Sequence, residues 1–152
     1  MTTFAAITGA LIIAIFLYRR RRRDPLPKRD PKCIWHSKVK KLDRVYDGDT
    51  LFAYVKGHNP IVKKPTGIRI RGIDTPELRD TRPAVKKKAV KAKEFAESKL
   101  RKARKIHLYN ISTDDKYGRM LATIFCDGKD LAKMLIEERL AKPYDGGRKP
   151  KW

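Results

Sequence analysis

With 152 residues, the chain is long enough for one domain of ordinary size and a short additional segment. Its 38 lysines and arginines outnumber 17 acidic residues, and the net charge of +21 favours an anionic partner, either nucleic acid or an acidic membrane surface. Two cysteines without metal-ligand spacing exclude a cysteine-based metal site, and we expect both thiols to be unpaired.

The first 18 residues contain no charged side chain, and five arginines, Arg19 to Arg23, follow them directly. As a helix this apolar run would be about 27 Å long, slightly short of the roughly 30 Å hydrocarbon core, so snorkelling or local thinning would complete a span. We therefore predict a transmembrane anchor at residues 1–18. The main alternative is a cleaved signal peptide, but such peptides carry positive charge before the apolar run rather than after it. A buried helix is the third interpretation.

The arginine run also predicts the orientation of this anchor. By the positive-inside rule, the arginines stay on the cytoplasmic side, which leaves the rest of a single-pass chain in the cytoplasm. An anchor in the mitochondrial outer membrane would have the same pattern. We assign residues 19–37 to a basic, proline-containing spacer, because "DPLPKRDPK" holds three prolines and mixed charge, and residues 38–152 to the folded domain.

Short runs of alternating apolar and polar residues begin at residue 38, separated by Gly, Asp, Asn or Pro, which is the pattern of strands in a meander. The predicted strands are 38–46, 50–56, 67–73, 105–111 and 119–126. Between the third and fourth strands, residues 84–105 have apolar side chains at steps of three or four and predict a long amphipathic helix. A shorter second helix carries Leu131, Leu135 and Leu140.

These elements predict a mainly β fold with helices, of the α+β class. The first three strands are joined by connections too short for helical crossovers, so a small closed barrel of five strands with two helices fits better than a parallel sheet. Residues 32–152 alone hold 31 basic and 15 acidic side chains, a net charge of +16. This excess suits contact with a phosphate backbone without sequence reading, and the alternative is a solvated, lysine-rich surface.

Four acidic residues stand out at the ends of predicted strands. Asp47 and Asp49 flank Gly48 in "VYDGDT", and Asp74 and Glu77 follow the third strand in "IDTPE". Carboxylate oxygens are what a hard divalent cation requires, and two or three of them leave positions open for water and substrate. Each motif alone is also an ordinary turn signal, so their combination carries the prediction of a metal site.

Other ionisable residues are less informative. Arg69 and Arg71 lie on the third strand, where an alternating pattern allows both to be solvated residues of the outer face. The three histidines, His36, His58 and His107, are isolated in sequence, and we interpret them as surface or strand residues. A histidine-metal or histidine-nucleophile mechanism is therefore disfavoured.

Three charged motifs, "VYDGDT", "RIRGIDTPE" and "DKYGR", occur in this order, with the basic helix between the second and third. In order and spacing they closely resemble the staphylococcal nuclease (thermonuclease) family, over roughly residues 38–142. The resemblance implies an OB-fold barrel and a calcium-dependent phosphodiesterase that cuts DNA and RNA. It implies Ca²⁺ as the cofactor, with Mg²⁺ or another hard ion as the alternative. We expect a monomer without a small-molecule cofactor.

The resemblance also implies roles for individual residues. The implied metal ligands are Asp49, Asp74 and the backbone carbonyl of Thr75. The implied catalytic residues are two phosphate-binding arginines, Arg69 and Arg119, and Glu77, which acts as general base or orients the attacking water. The implied substrate contacts are Lys116, Tyr117 and Tyr144. The metal and catalytic positions match the family pattern unchanged, whereas only Tyr144 could stand in for the family's tyrosine pair. A phosphodiester would be held by guanidinium forks that stay protonated.

One departure from the family concerns the end of the domain. After residue 142 the sequence reads "PYDGGRKPKW", so the family's third helix has no counterpart and this segment either replaces it or leaves the barrel less covered. Two functions remain open at this point: a membrane-tethered nuclease, or a catalytically silent nucleic-acid-binding module on the same barrel. Intact Arg69, Glu77 and Arg119 favour the enzyme.

Overall fold

The computed structural model describes residues 23–57, 64–113 and 118–152. In chain order the elements are β1 (Ile34–Val45), β2 (Thr50–Val55), β3 (Thr66–Ile70), β4 (Ile73–Asp74), α1 (Pro83–Lys102), β5 (Ile106–Thr113), β6 (Met120–Cys126), β7 (Lys129–Asp130), α2 (Leu131–Glu137) and β8 (Lys142–Pro143). Five long strands and two helices therefore agree with the number expected, and three strands of two residues each are additional.

The five long strands form a closed barrel. They are hydrogen-bonded in the order β3-β2-β1-β5-β6, with each of these neighbours antiparallel, and a parallel pairing of β3 with β6 closes the ring. In that closing pair Ile68 lies beside Met120 and Ile70 beside Ala122. A parallel pair needs a long connection, which here contains α1 and β5. The predicted barrel is confirmed.

Alternating side chains of these strands fill the barrel. The fully buried apolar residues of the strands include Leu51, Ile68, Ile70, Leu108 and Ile124. The register shifts twice along β1 and once in β5, and such bulges bend strands and increase their twist, as closure of a small barrel requires. Because the interior is filled by aliphatic side chains, the barrel is a packed core, and functional groups must lie at its ends or on its outer surface.

The long helix α1 covers the barrel with its smallest residues. Its buried side chains, Ala89, Ala92, Ala96 and Leu100, recur at steps of three or four. Alanine permits the helix backbone to approach the strands closely, and basic residues in the last turn complement the negative end of the helix dipole. The helix prediction is confirmed with slightly different ends. The second helix, α2, is capped by Asp130, whose carboxylate accepts the N–H of Ala132 at 2.9 Å.

The folded part of the chain begins earlier than residue 38. Strand β1 starts at Ile34, which pairs with Ile111, so part of the predicted spacer belongs to the barrel. Before it, the segment 24–30 is hydrogen-bonded along the outer surface. The Asp24 N–H donates to the Gly128 carbonyl at 2.8 Å, and Asn110 donates through Nδ2 to the Lys28 carbonyl at 2.8 Å.

Several predictions fall outside the described residues, namely the membrane anchor at 1–18, His58, Lys116 and Tyr117. Within residues 23–57, 64–113 and 118–152, no helix has both the length and the apolar character needed to cross a bilayer. Cys33 and Cys126 are both unpaired thiols, as expected.

Candidate active site

The two predicted carboxylate ligands lie at one end of the barrel. Asp49 directly precedes β2, and its backbone carbonyl accepts the N–H of Ile70 at 2.8 Å, which fixes it beside the end of β3. Asp74 ends β4, which follows β3 after a turn at residues 71–72. The antiparallel pairing of β2 with β3 therefore delivers both acidic motifs to the same place.

Arg69 joins these two carboxylates. Its Nη1 donates to Asp49 Oδ1 at 2.8 Å, and its Nη2 lies 3.5 Å from Asp74 Oδ1. The aspartate side chains are only 4% and 3% exposed, so the guanidinium supplies the counter-charge that water would otherwise provide. The interpretation of Arg69 as a solvated outer-face residue is thus wrong, and its position inside the site agrees with the resemblance.

The environment of Asp49 favours its neutral form. Burial, followed by repulsion from Asp47, raises the pKa of Asp49 to about 7. Arg69 and the hydrogen bonds that Asp49 accepts act in the opposite direction. They come from the Thr75 N–H to Oδ2 at 3.0 Å and from the Thr50 hydroxyl to Oδ1 at 3.1 Å. A carboxyl group in this state binds a cation most readily when the cation displaces its proton.

Gly48 is needed for the close packing behind Asp49. A Cβ atom at this position would lie 2.8 Å from Ala92 Cβ and 2.8 Å from Thr75 Cγ2, which is closer than real Cβ atoms come. The turn therefore sits directly against α1 and against the residue that follows Asp74. This contact gives the Asp-Gly-Asp motif a packing requirement in addition to its two carboxylates.

Arg119 reaches the same site from the other side of the closing strand pair. It immediately precedes β6, and its Nη1 donates to the Thr50 hydroxyl at 3.2 Å. Thr50 in turn donates to Asp49, so the hydrogen-bonded chain from Arg119 ends on the carboxylate that Arg69 also binds. The two predicted arginines are therefore brought together across the β3–β6 pair.

Glu77 lies at the edge of the cleft and differs from the two aspartates. Its side chain is 62% exposed, and its Oε1 accepts from Lys149 Nζ at 2.7 Å. Since an exposed ion pair is easily exchanged, Glu77 can release this partner in favour of another. Among the substrate contacts, Tyr144 lines the cleft with its ring 5.9 Å from the Arg69 guanidinium carbon.

Residues 144–152, which we call the strap, contribute contacts that sequence reasoning missed, apart from Tyr144. The strap leaves β8, and the Tyr144 N–H donates to the Gly72 carbonyl at 3.0 Å. Lys149 then binds Glu77 and lies 3.7 Å from Asp74 Oδ1, and Trp152 donates through Nε1 to Asp74 Oδ2 at 2.9 Å. The available signal was the basic and aromatic composition of "RKPKW", whose partners only the fold reveals. The strap therefore lies against Asp74 and Glu77.

Arg71 has a structural role near the cleft. Its Nη2 donates to the Asn110 carbonyl and to the Ser112 hydroxyl, both at 2.9 Å, at the irregular part of β5. These contacts fix the turn that leads to Asp74. The interpretation of Arg71 as a solvated residue is therefore wrong. Its hydrogen bonds to the described residues go to β5 and Cys33, and not to Asp49 or Asp74.

Two of the three histidines are not isolated. Antiparallel pairing of β1 with β5 brings His36 Nε2 to 2.8 Å from His107 Nδ1 on the outer face of the barrel. Burial, His36 and nearby cations lower the pKa of His107. The prediction of isolation was wrong because cross-strand neighbours are distant in sequence. Neither histidine lines the cleft, so their interpretation as strand residues is retained.

The cleft has a volume of about 1380 Å³ and is mainly cationic. Its charged lining consists of Asp47, Arg69, Arg71, Glu77, Arg79, Arg119, Asp145, Arg148 and Lys149. Across the described residues, no three His, Cys, Asp or Glu side chains are grouped to hold a metal ion. Asp49 and Asp74 nevertheless share one cation already, and a hard divalent ion that keeps water and substrate in its shell needs few carboxylates. The donors present fit such an ion.

Comparisons with known proteins agree with this architecture. A family model described as "Staphylococcal nuclease homologue" matches residues 67–151, which is more than half of the chain. Endonuclease YncB of Bacillus subtilis (strain 168) is 35% identical over 115 residues, which cover 70% of this chain and 51% of that protein.

Two further relatives have similar levels of identity. The SPbeta prophage-derived endonuclease YokF of the same organism is 34% identical over 103 residues, covering 66% of this chain and 32% of that protein. The thermonuclease of Staphylococcus hyicus is 31% identical over 102 residues, covering 67% and 54%. The chain thus spans about half the length of these curated relatives, or less.

Proposed function

Because the chain belongs to the staphylococcal nuclease homologue family, we propose that it is a metal-dependent endonuclease that hydrolyses phosphodiester bonds of DNA and RNA with little sequence preference. The observation that carries this proposal is that Arg69 and Arg119 line one cationic cleft, where Arg69 binds the buried carboxylates of Asp49 and Asp74 and Arg119 reaches Asp49 through the Thr50 hydroxyl. The names of the relatives, two endonucleases and a thermonuclease, support the same activity.

In this mechanism the two arginines bind the scissile phosphate. A phosphodiester is an anion, and its transition state gathers further negative charge on the equatorial oxygens. A guanidinium donates two parallel hydrogen bonds to such a group and remains protonated at any working pH. Arg69 leaves its aspartate partners and binds the phosphate. Arg119 leaves the Thr50 hydroxyl and binds the same phosphate. Both arginines thus stabilise charge that develops during the reaction.

Asp49 and Asp74 would hold the metal ion, with the Thr75 carbonyl as the third protein ligand. We propose Ca²⁺ as this ion, with Mg²⁺ as the alternative. When bound, such an ion polarises a phosphoryl oxygen and lowers the pKa of a coordinated water. Asp49 and Asp74 would remain paired with a cation when Arg69 turns to the phosphate, because the bound ion would replace its positive charge beside them.

Glu77 would accept the proton of the attacking water or orient that water. Its exposure suits this role, because a general base must reach the substrate and exchange protons with solvent. Lys149 lies 2.7 Å from Glu77 and leaves it when the water arrives. Its ammonium group can then bind a phosphate of the substrate.

We further propose that residues 1–18 tether the domain to a membrane, with the nuclease on the cytoplasmic side. Arg23 packs beside Gly128, which follows β6, whereas Arg119 precedes that strand. Seven strand residues separate the two ends by roughly 20 Å. The tether would therefore join the domain away from the cleft, which leaves the cleft accessible to a long nucleic acid.

The test uses the full chain in detergent, incubated with single-stranded DNA, double-stranded DNA or RNA, in calcium, magnesium or EDTA. We expect metal-dependent cleavage that EDTA abolishes. Glu77→Gln should slow turnover by about 10² to 10⁴-fold while nucleic-acid binding stays near wild type, since it removes a base without removing a cation. Glu138→Gln, an exposed glutamate outside the cleft, is the matched control.

The outcome decides between the two functions left open by the sequence. Cleavage lost in EDTA and in Glu77→Gln would support the nuclease. Tight, salt-sensitive binding without cleavage in any metal would contradict it and would identify a nucleic-acid-binding module instead.

A further inference from the structure

Asp74 has two oxygen atoms with different partners. Oδ2 accepts the indole N–H of Trp152 at 2.9 Å, while Oδ1 faces Arg69 at 3.5 Å and Lys149 at 3.7 Å. The side chain of Asp74 is 3% exposed, so few water molecules can compete for either oxygen. Among residues 23–57, 64–113 and 118–152, the indole donates the one hydrogen bond shorter than 3 Å to this carboxylate, and this bond fixes the direction of Oδ1.

Trp152 is itself held by three neighbours from separate parts of the fold. Its ring lies 5.2 Å from Lys88 Nζ on α1 and 4.7 Å from Lys142 Nζ on β8. Its backbone carbonyl accepts from Arg82 Nη1 at 2.7 Å. Cation–π contacts and a charged hydrogen bond restrict both ring and backbone, so the indole N–H reaches Asp74 from a fixed position.

The strand pairing next to the site brings the strap to this carboxylate. In the β4–β8 pair, Asp74 lies opposite Lys142, and the strap continues directly from β8. It reverses direction at Gly147, whose N–H donates to Asp145 Oδ1 at 3.2 Å and whose carbonyl accepts from the Tyr144 hydroxyl at 3.1 Å. The turn returns Trp152 to the strand from which the strap began.

We propose that Trp152 is a positioning residue for the active site, which orients the Asp74 carboxylate so that Oδ1 faces Arg69 and would be available to a metal ion. This role rests on the proposed function, because it gives Asp74 the task of a metal ligand. Outer hydrogen bonds commonly orient metal-binding carboxylates and tune their affinity. An indole N–H suits the task because it donates one directional hydrogen bond and carries no charge, so it does not compete with the cation.

The contact can be tested without cleavage or metal. We would record the indole N–H resonances of the full chain, which has two tryptophans, in EDTA, and assign them with Trp35→Phe. Asp74→Asn should shift the Trp152 resonance, because it replaces a charged acceptor, and should leave that of Trp35 unchanged. If the chemical shift of the Trp152 indole N–H were the same in Asp74→Asn as in wild type, the proposal would be overturned.

The role is tested by comparing Trp152→Phe with wild type, with Trp35→Phe as the matched control. Phenylalanine retains a ring between the two lysines and loses only the N–H donor. By calorimetry we expect Ca²⁺ or Mg²⁺ affinity to fall about 10 to 100-fold in Trp152→Phe. The melting temperature in EDTA should stay near wild type, and saturating metal should restore most of kcat. A merely structural role would change the melting temperature instead.

Failure of this inference is distinguishable from failure of the proposed function. Trp152→Phe with wild-type metal affinity and wild-type dependence of cleavage on metal would overturn the positioning role alone. A wild-type chain that binds neither ion and cleaves nothing would overturn the proposed nuclease, and the positioning role with it.

Discussion

Two parts of the candidate site differ in burial. The part that we call the floor consists of Arg69, which lines the cleft, and of Asp49 and Asp74, whose carboxylates are 4% and 3% exposed and share its guanidinium. The wall of the cleft consists of Glu77 and Lys149, whose side chains are 62% and 57% exposed and form an ion pair at 2.7 Å. Similar ion pairs are therefore structural in the floor and exchangeable in the wall, because burial determines what a lost partner costs.

The strongest way to break this contrast is Arg69→Ala. The substitution leaves two buried carboxylates without their counter-charge, and we expect the free energy of unfolding to fall by about 3 to 5 kcal/mol in EDTA at pH 8. Urea unfolding measures this change. Arg44→Ala, which removes the exposed partner of Asp43, should cost about 1 kcal/mol or less. Equal losses in the two variants would contradict the distinction between floor and surface.

The next largest effect is expected for Arg119→Lys. A lysine keeps the charge but cannot form the two parallel hydrogen bonds to a phosphate, so kcat/KM should fall by about 100-fold, or about 2.7 kcal/mol of transition-state stabilisation. Steady-state kinetics on a short single-stranded oligonucleotide measures it. Arg139→Lys, an exposed arginine after α2 and outside the cleft, is the control. Cleavage by Arg119→Lys at the wild-type rate would remove the clamp from the mechanism.

A smaller effect tests the packing behind the floor. Gly48→Ala should lower the free energy of unfolding by about 1 to 3 kcal/mol, because the new methyl group meets α1 and Thr75 at 2.8 Å. Gly147→Ala, whose Cβ would meet its nearest neighbour at 3.4 Å, should change it by less than about 0.5 kcal/mol. Urea unfolding in EDTA compares them. If Gly48→Ala were neutral, the turn and α1 would not be in close contact.

The smallest expected effect is a dependence of metal affinity on pH. The pKa of Asp49 is raised from 3.8 to about 7, so below pH 7 an ion must displace a proton. Metal affinity should fall about tenfold per pH unit below pH 7 and level off above it. Calorimetry at pH 6, 7 and 8 measures this, with proton release detected from the buffer dependence. Affinity that is constant from pH 6 to 8 would contradict the raised pKa.

The raised pKa of Asp49 makes the metal-free chain less stable as pH rises, whereas it makes metal binding tighter. Between pH 4 and pH 7 the folded chain binds more protons at Asp49 than the unfolded chain does, so Asp49 lowers the free energy of unfolding as pH rises through this range. The contribution is constant above pH 7. Asp49→Asn should remove it, and added metal should oppose it, since the ion binds the charged form.

Sequence patterns were sufficient for the barrel and for the two carboxylates at its end. Alternation located the five long strands, and the alanine spacing of α1 located the face that packs on them. Asp49 and Asp74 could be placed together because they lie at the adjoining ends of neighbouring strands, whereas only the family resemblance placed Arg69 with them. The positions of the two aspartates can be predicted because local sequence patterns and short hairpin connections determine which residues of neighbouring strands lie side by side.

Long-range contacts were not predictable in the same way. The strap reaches Asp74 through its β8 pairing and a turn, and nothing in "RKPKW" identifies a carboxylate seventy-odd residues earlier as the acceptor of Trp152. His36 and His107 were missed as a pair for the same reason, since their contact depends on the register of β1 against β5. Proline content suggested a spacer at 19–37, but hydrogen bonds to Gly128 and Asn110 attach residues 24–30 of this segment to the barrel.

The pairing of β3 with β6 determines when, during synthesis of the chain, the proposed nuclease activity could arise. Arg69 and Arg119 meet only when β3 pairs with β6, strands separated by the whole of α1 and β5. Such a distant pairing is entropically costly and is expected late in folding. A chain still emerging from the ribosome would hold Asp49, Arg69 and Asp74 without Arg119. Under the proposed function, the nascent protein would lack one of its two phosphate-binding arginines, and would leave its own messenger RNA intact, until the barrel is complete.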